Sequence, residues 1–215
     1  MESHFVEFTV VVLANDHNPT ILNPDFLDRN NIIERDWGWD VFGQPITTPN
    51  FSTVAYDSQV AITVEPNKFQ ITETSQVEIS DSKVCKIVSN YLNTLSQVGY
   101  LALGINFTKL VFVDDVNEFL IARFLKEGAW NSEENSLAKL GFNFTYKIEG
   151  GSVTFSIDKG FKEEVDRPFL VVRANFHRDL DISKMPTSDK AIEYLNGVDN
   201  DWDLFNNLFE KIIEV

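Results

Sequence analysis

His177-Arg178-Asp179-Leu180 is the run whose residue types and spacing best match a known catalytic element, the opening of the protein-kinase catalytic loop. There the aspartate orients a substrate hydroxyl, and an asparagine farther along holds magnesium. The corresponding position here is Lys184, a cation that cannot ligate another. No glycine-rich phosphate loop or Val-Ala-Ile-Lys strand precedes the run, and no Asp-Phe-Gly follows it. The match is accidental, and His177 to Asp181 reads as the polar exit from a buried strand.

Other chemistries fare no better. His4, His17 and His177 lie far apart, without the short spacing of zinc ligands. Asn15, Asp16 and His17 would meet Asp179 and Asp181 only if the first and last strands were neighbours. Cys85 falls near the start of an expected helix, where a helix end can activate a thiol. Beside Val84, Ile87 and Val88, however, it reads as a small core residue. No Gly-x-Ser-x-Gly elbow is present to raise a serine nucleophile. Asp114-Asp115 and Glu163-Glu164 are adjacent pairs whose side chains diverge, so neither forms an acid–base dyad. Gly150-Gly151 belongs to a hairpin rather than to a phosphate cradle. The sequence therefore predicts no catalytic residue, no metal ligand and no cofactor.

The elements around these residues alternate between two periods. Phe5 to Leu13 reads as an interior strand, and Asn23-Pro24 opens a short helix from Pro24 to Arg29. Asp36 to Asn50, with Trp37, Trp39, Pro45 and Pro49, reads as a structured loop. From Phe51 to Thr74 apolar residues alternate in a meander of three strands, followed by a helix carrying Val84, Ile87, Val88, Tyr91 and Leu92. Tyr100 to Val113 is again a strand. Asp115 caps a helix that Gly128 ends, and a polar loop spans Asn131 to Ser136. Two strands joined at Gly150 follow, then one from Phe169. Ser188 to Asn196 and Asp199 to Glu214 complete the pattern as helices, the second laying its apolar stripe on the sheet. Asp199, Asp201 and Asp203 suit its first turn, where the helix dipole favours negative charge.

This order predicts an α+β fold: a mostly antiparallel sheet covered by helices, among them a C-terminal amphipathic one. The length of 215 residues suits one domain. Gly104-Ile105-Asn106-Phe107-Thr108 recurs as Gly141-Phe142-Asn143-Phe144-Thr145. The repeat leaves two readings open, namely related halves, about 1–113 and 114–215, or independent arrival at one strand pattern.

A hydrophobic fraction of 43% with 18 Phe indicates a folded chain, and no apolar run is long enough for a transmembrane helix. The formal charge of −15 has the wrong sign for neutralising phosphates, which excludes direct nucleic-acid binding. A single cysteine and the lack of a secretion signal at the start predict a cytoplasmic protein. Asn50, Asn106 and Asn143 begin glycosylation sequons, read here as strand chemistry.

Asn18-Pro19-Thr20-Ile21-Leu22-Asn23-Pro24-Asp25-Phe26-Leu27, with Trp37 and Pro45-Ile46-Thr47-Thr48-Pro49, resembles an uncharacterised family of bacterial hypothetical proteins over the first third of the chain. The resemblance implies a bacterial origin and no particular activity. By association it points to an accessory or defence-type component.

The sequence thus predicts a non-catalytic component that binds another protein, without membrane or nucleic acid. Trp37, Trp39 and Phe42 are its contact candidates, because exposed aromatics dominate interface energetics. The alternative is a small-molecule binding protein or hydrolase whose cavity lies between the sheet and the C-terminal helix.

Overall fold

Every period-two run folds as a strand, and their apolar alternates converge on one side. The computed structural model describes residues 1–126, 128, 137–161, 167–184 and 186–214. The strands are β1 Glu2–Ala14, β2 Val41–Thr47, β3 Ser52–Tyr56, β4 Val60–Glu65, β5 Lys68–Glu73, β6 Tyr100–Phe112, β7 Gly141–Ile148, β8 Gly151–Lys159 and β9 Phe169–Asp179. They form a nine-stranded sheet in the order β2-β3-β4-β5-β1-β6-β9-β8-β7, and every neighbouring pair is antiparallel. The helices are α1 Pro24–Arg29, α2 Val84–Thr94, α3 Val116–Phe124, α4 Ser188–Leu195 and α5 Val198–Phe209, which continues as a π-type turn over Glu210–Glu214. The α+β class is as expected, and no described helix is long and apolar enough to cross a membrane.

The core lies between the sheet and its helices. Val10 and Val12 of β1, Phe69 and Ile71 of β5, Ile105 and Phe107 of β6, and Phe155 of β8 are fully or nearly fully buried. Helix α2 returns Val84, Ile87, Val88, Tyr91 and Leu92 to this layer, the apolar stripe that the helical period dictates. In α5, Phe205 stacks on Phe107 at 5.7 Å and lies 6.0 Å from Phe155. Burying such a ring contributes about 1.5–3 kcal/mol. These rings, with Trp202 against Phe107 at 5.2 Å, occupy the space where the sequence reading placed a ligand cavity.

Local chemistry ends and starts the elements largely as read. Asn23 accepts a hydrogen bond from Phe26 N at the start of α1, and Asp115 accepts one from Glu118 N at the start of α3. Gly150 turns the β7–β8 hairpin at φ +73°, and a side chain at Gly151 would collide with the His177 backbone. Glycine is required at both positions.

Four details correct the sequence reading. The segment expected as a loop from Asp36 to Asn50 contains the edge strand β2, held to β3 at Val41, Phe42, Ile46 and Thr47. Helix α3 ends at Phe124, before Gly128, because Leu125 turns to an extended backbone. Strand β9 runs through His177, Arg178 and Asp179 rather than ending before them. Asp201 is not a solvated first-turn charge but a buried partner of Arg178. The expected polar loop at 131–136, and Glu163-Glu164, lie outside the described residues.

The two Gly-x-Asn-Phe-Thr strands take unlike places, β6 at the centre of the sheet and β7 at its edge. The strand that mirrors β6 is its neighbour β1. Both stand at the centre, with β5, β4, β3 and β2 outside β1 and β9, β8 and β7 outside β6.

Candidate functional site

The three predicted contact residues do not share one surface. Trp37 and Trp39 lie together with ring centres 5.0 Å apart, and Trp39 lies 5.9 Å from the buried Tyr56. Lys86 reaches over Trp37 at 5.7 Å while pairing with Glu34 at 2.8 Å. Both tryptophans are half-buried lids on the core. Phe42 pairs with Ala55, whereas its neighbour Val41 pairs with Tyr56 on the Trp39 side. Successive strand residues point to opposite faces, so Phe42 projects on the face of the sheet away from the helices. It is 70% exposed, and Ile46 and Phe51 beside it are also exposed. Gly43 at φ +73° and Pro45 break the β2 register between Phe42 and Ile46. Such a bulge with a proline blunts an edge against strand addition.

The residues considered for catalysis are used elsewhere. His17 is buried between Val12 and Tyr91. The Val12 carbonyl can only accept, so Nε2–H donates to it at 3.2 Å and Nδ1 accepts the Tyr91 hydroxyl at 3.2 Å. Burial pushes this imidazole below its ordinary value. Burial likewise pushes the Cys85 thiol up to about 12, with Asp199, Asp201 and Glu73 adding to the effect, which leaves it no thiolate to react. Among the described residues no group of three His, Cys, Asp or Glu side chains could hold a metal ion.

His177 and Asp179 share the open face, 3.2 Å apart, and Ser152 stands opposite His177 in the ladder. No hydrogen bond joins Ser152 to the imidazole, and the Asp179 side chain is 84% exposed. The bond that links a nucleophile to its base is thus not formed among these three residues. Arg178, between His177 and Asp179, points the other way. Its guanidinium donates to both Asp201 oxygens, at 2.8 and 2.6 Å, and stacks on Tyr194 at 5.0 Å.

The sheet's open face carries another candidate. Across β5, β1, β6, β9, β8 and β7 it is concave and forms a groove of about 370 Å³. Its lining includes Gln70, Asn106, Asn143 and Asn175 among carboxamides, Thr9, Thr108 and Ser156 among hydroxyls, and the charges Glu7 and Arg173. Among the described residues no aromatic ring lines it. Gly104 leaves space in the neighbouring row, where a Cβ would make only ordinary contacts with Asn175, Asn106 and Val11. This arrangement can exchange hydrogen bonds with a neutral polar ligand. The sequence reading missed the groove although its signal was present: the repeated Gly-x-Asn-Phe-Thr supplies Gly104, Asn106, Thr108 and Asn143 to this one surface.

No protein-family model matches this chain, and no curated protein matches it.

Proposed function

We propose that this chain is a non-catalytic bacterial component that acts in the cytoplasm by binding another protein, through the β2 end of the sheet's open face. The observation that carries this reading is the side chain of Phe42, 70% exposed, with Ile46 and Phe51 exposed beside it. An apolar cluster of this kind marks an interaction site when polar residues rim it. Asp36, Asp40 and Asp57 are exposed nearby, and together with the net charge of −15 they favour a partner with basic groups around an apolar anchor. The bulge at Gly43 and Pro45 favours side-chain docking over strand addition. Trp37 and Trp39 serve beneath this end as packing that holds β2 in place.

The test places a photo-crosslinking group at Phe42 in cells that make the protein natively. One discrete adduct with another polypeptide, lost on Ile46→Ser, is the expected result. Absence of any adduct, or an adduct only between copies of this chain, would overturn the reading.

A further inference from the structure

Two adjacent rows of side chains on the concave face differ in how far the sheet itself satisfies them. Thr72, Thr9, Asn106, Asn175, Thr154 and Thr145 lie in register across β5, β1, β6, β9, β8 and β7. This row is stitched together. Thr9 bonds Thr72 at 3.0 Å, Asn175 Nδ2 donates to Asn106 Oδ1 at 2.5 Å, and Thr145 and Thr154 share a bond of 3.1 Å.

The next row is Glu7, Thr108, Arg173, Ser156 and Asn143, in register across β1, β6, β9, β8 and β7. Among the described residues, no side chain in it makes a hydrogen bond. The contact of Arg173 with Asp158 is 3.9 Å, too long for one. Thr108 is only 7% exposed, and its hydroxyl is reached from the groove. The Thr108 hydroxyl is open to the groove rather than sealed in the core, so a ligand lying there can bond it together with the rest of the row.

We propose that this row binds a neutral oligosaccharide lying across the strands. Thr108, Ser156 and Asn143 can each donate and accept, as a sugar hydroxyl does, while Glu7 accepts and Arg173 donates. The opposite charges of Glu7 and Arg173 balance, which suits an uncharged ligand. Strands stand about 4.7–4.9 Å apart, close to the length of one hexose unit, whereas an extended peptide advances about 3.3–3.4 Å per residue. The groove volume of about 370 Å³ falls at the small end of ligand sites.

The test is an NMR titration of the ¹⁵N-labelled protein with maltotetraose, cellotetraose and tetra-N-acetylchitotetraose. One of them is expected to give saturable shifts of the Asn143 carboxamide and the Arg173 guanidinium. The double variant Thr108→Val/Asn143→Ala keeps its backbone spectrum and binds about tenfold more weakly, as expected for two lost hydrogen bonds. The site is distinct from the β2 end, so Ile46→Ser leaves the titration unchanged. The proposal is overturned if none of the three sugars shifts these groups, or if the double variant binds as well as the parent. It is also overturned if a Ser/Asn-rich extended peptide gives the saturable shifts instead.

Discussion

Arg178 and Arg173 occupy one strand but opposite faces, and their surroundings differ completely. Arg178, on the helix-covered face, is 8% exposed and clasps Asp201 through two short hydrogen bonds. Arg173, on the open face, has no bond of hydrogen-bond length and only a distant carboxylate. The contrast extends across the sheet. Buried Glu73 is bonded by Ser75 and Ser82, His17 is held at both nitrogens, and Lys109 donates to Asn206 at 2.7 Å. These groups under the helices are bonded internally because burying them unpaired would be costly, although Arg178 Nε and Ser188 Oγ stay buried without a partner among the described residues. Those in the Glu7–Asn143 row have no hydrogen-bond partner among the described residues, and Asn143 and Arg173 of that row are exposed. The covered face holds the fold together, and the open face is free to bind.

The largest effect that separates the two faces is expected at the buried ion pair. Asp201→Ala leaves the Arg178 charge without its partner and should destabilise by about 3–5 kcal/mol, measured by urea unfolding. Arg178→Met/Asp201→Leu together should recover most of that loss, since well-packed apolar side chains replace buried pairs at little cost. A double variant as unstable as the single one would show that the pair fixes geometry as well as charge.

Next in size is an acid effect at His17. Its folded value lies below 6.5, so the unfolded chain takes up the proton first as pH falls. The stability that neutral His17 confers is therefore full above about pH 6.5 and declines below it, down to the folded value. Urea midpoints taken between pH 7 and about pH 5 should fall less steeply for His17→Asn than for the parent. An equal slope would place the acid sensitivity elsewhere. A smaller loss, about 1 kcal/mol, is expected for Asp115→Ala, which removes the cap of α3 without touching either face of the sheet.

Much of this architecture was legible in the residues. The alternation of Val60, Ile62 and Val64, the helical spacing from Val84 to Leu92, and Asn23-Pro24 and Asp115 as helix starts are local signals, and each was realised locally. Strand β2 escaped because Gly43 and Pro45 interrupt its alternation, and only pairing with β3 makes Val41–Thr47 a strand. Arg178 looked like part of a polar exit because its partner Asp201 lies on another element, and burial of such a pair has no local signature. The repeated Gly-x-Asn-Phe-Thr carries part of the groove in the sequence, but not the pairing that assembles it. Asn106, Asn143, Ser156 and Arg173 come from different strands, and only the order β6-β9-β8-β7 brings them side by side.

The most direct test of the division between the two faces is parallel urea unfolding of Thr108→Val/Asn143→Ala/Ser156→Ala and of Asp201→Ala. The open-row variant should match the parent to within about 0.5 kcal/mol, as surface substitutions without partners do, while Asp201→Ala falls well below it. An open-row variant that loses as much stability as Asp201→Ala would show that these side chains hold the sheet together, contradicting their assignment to binding.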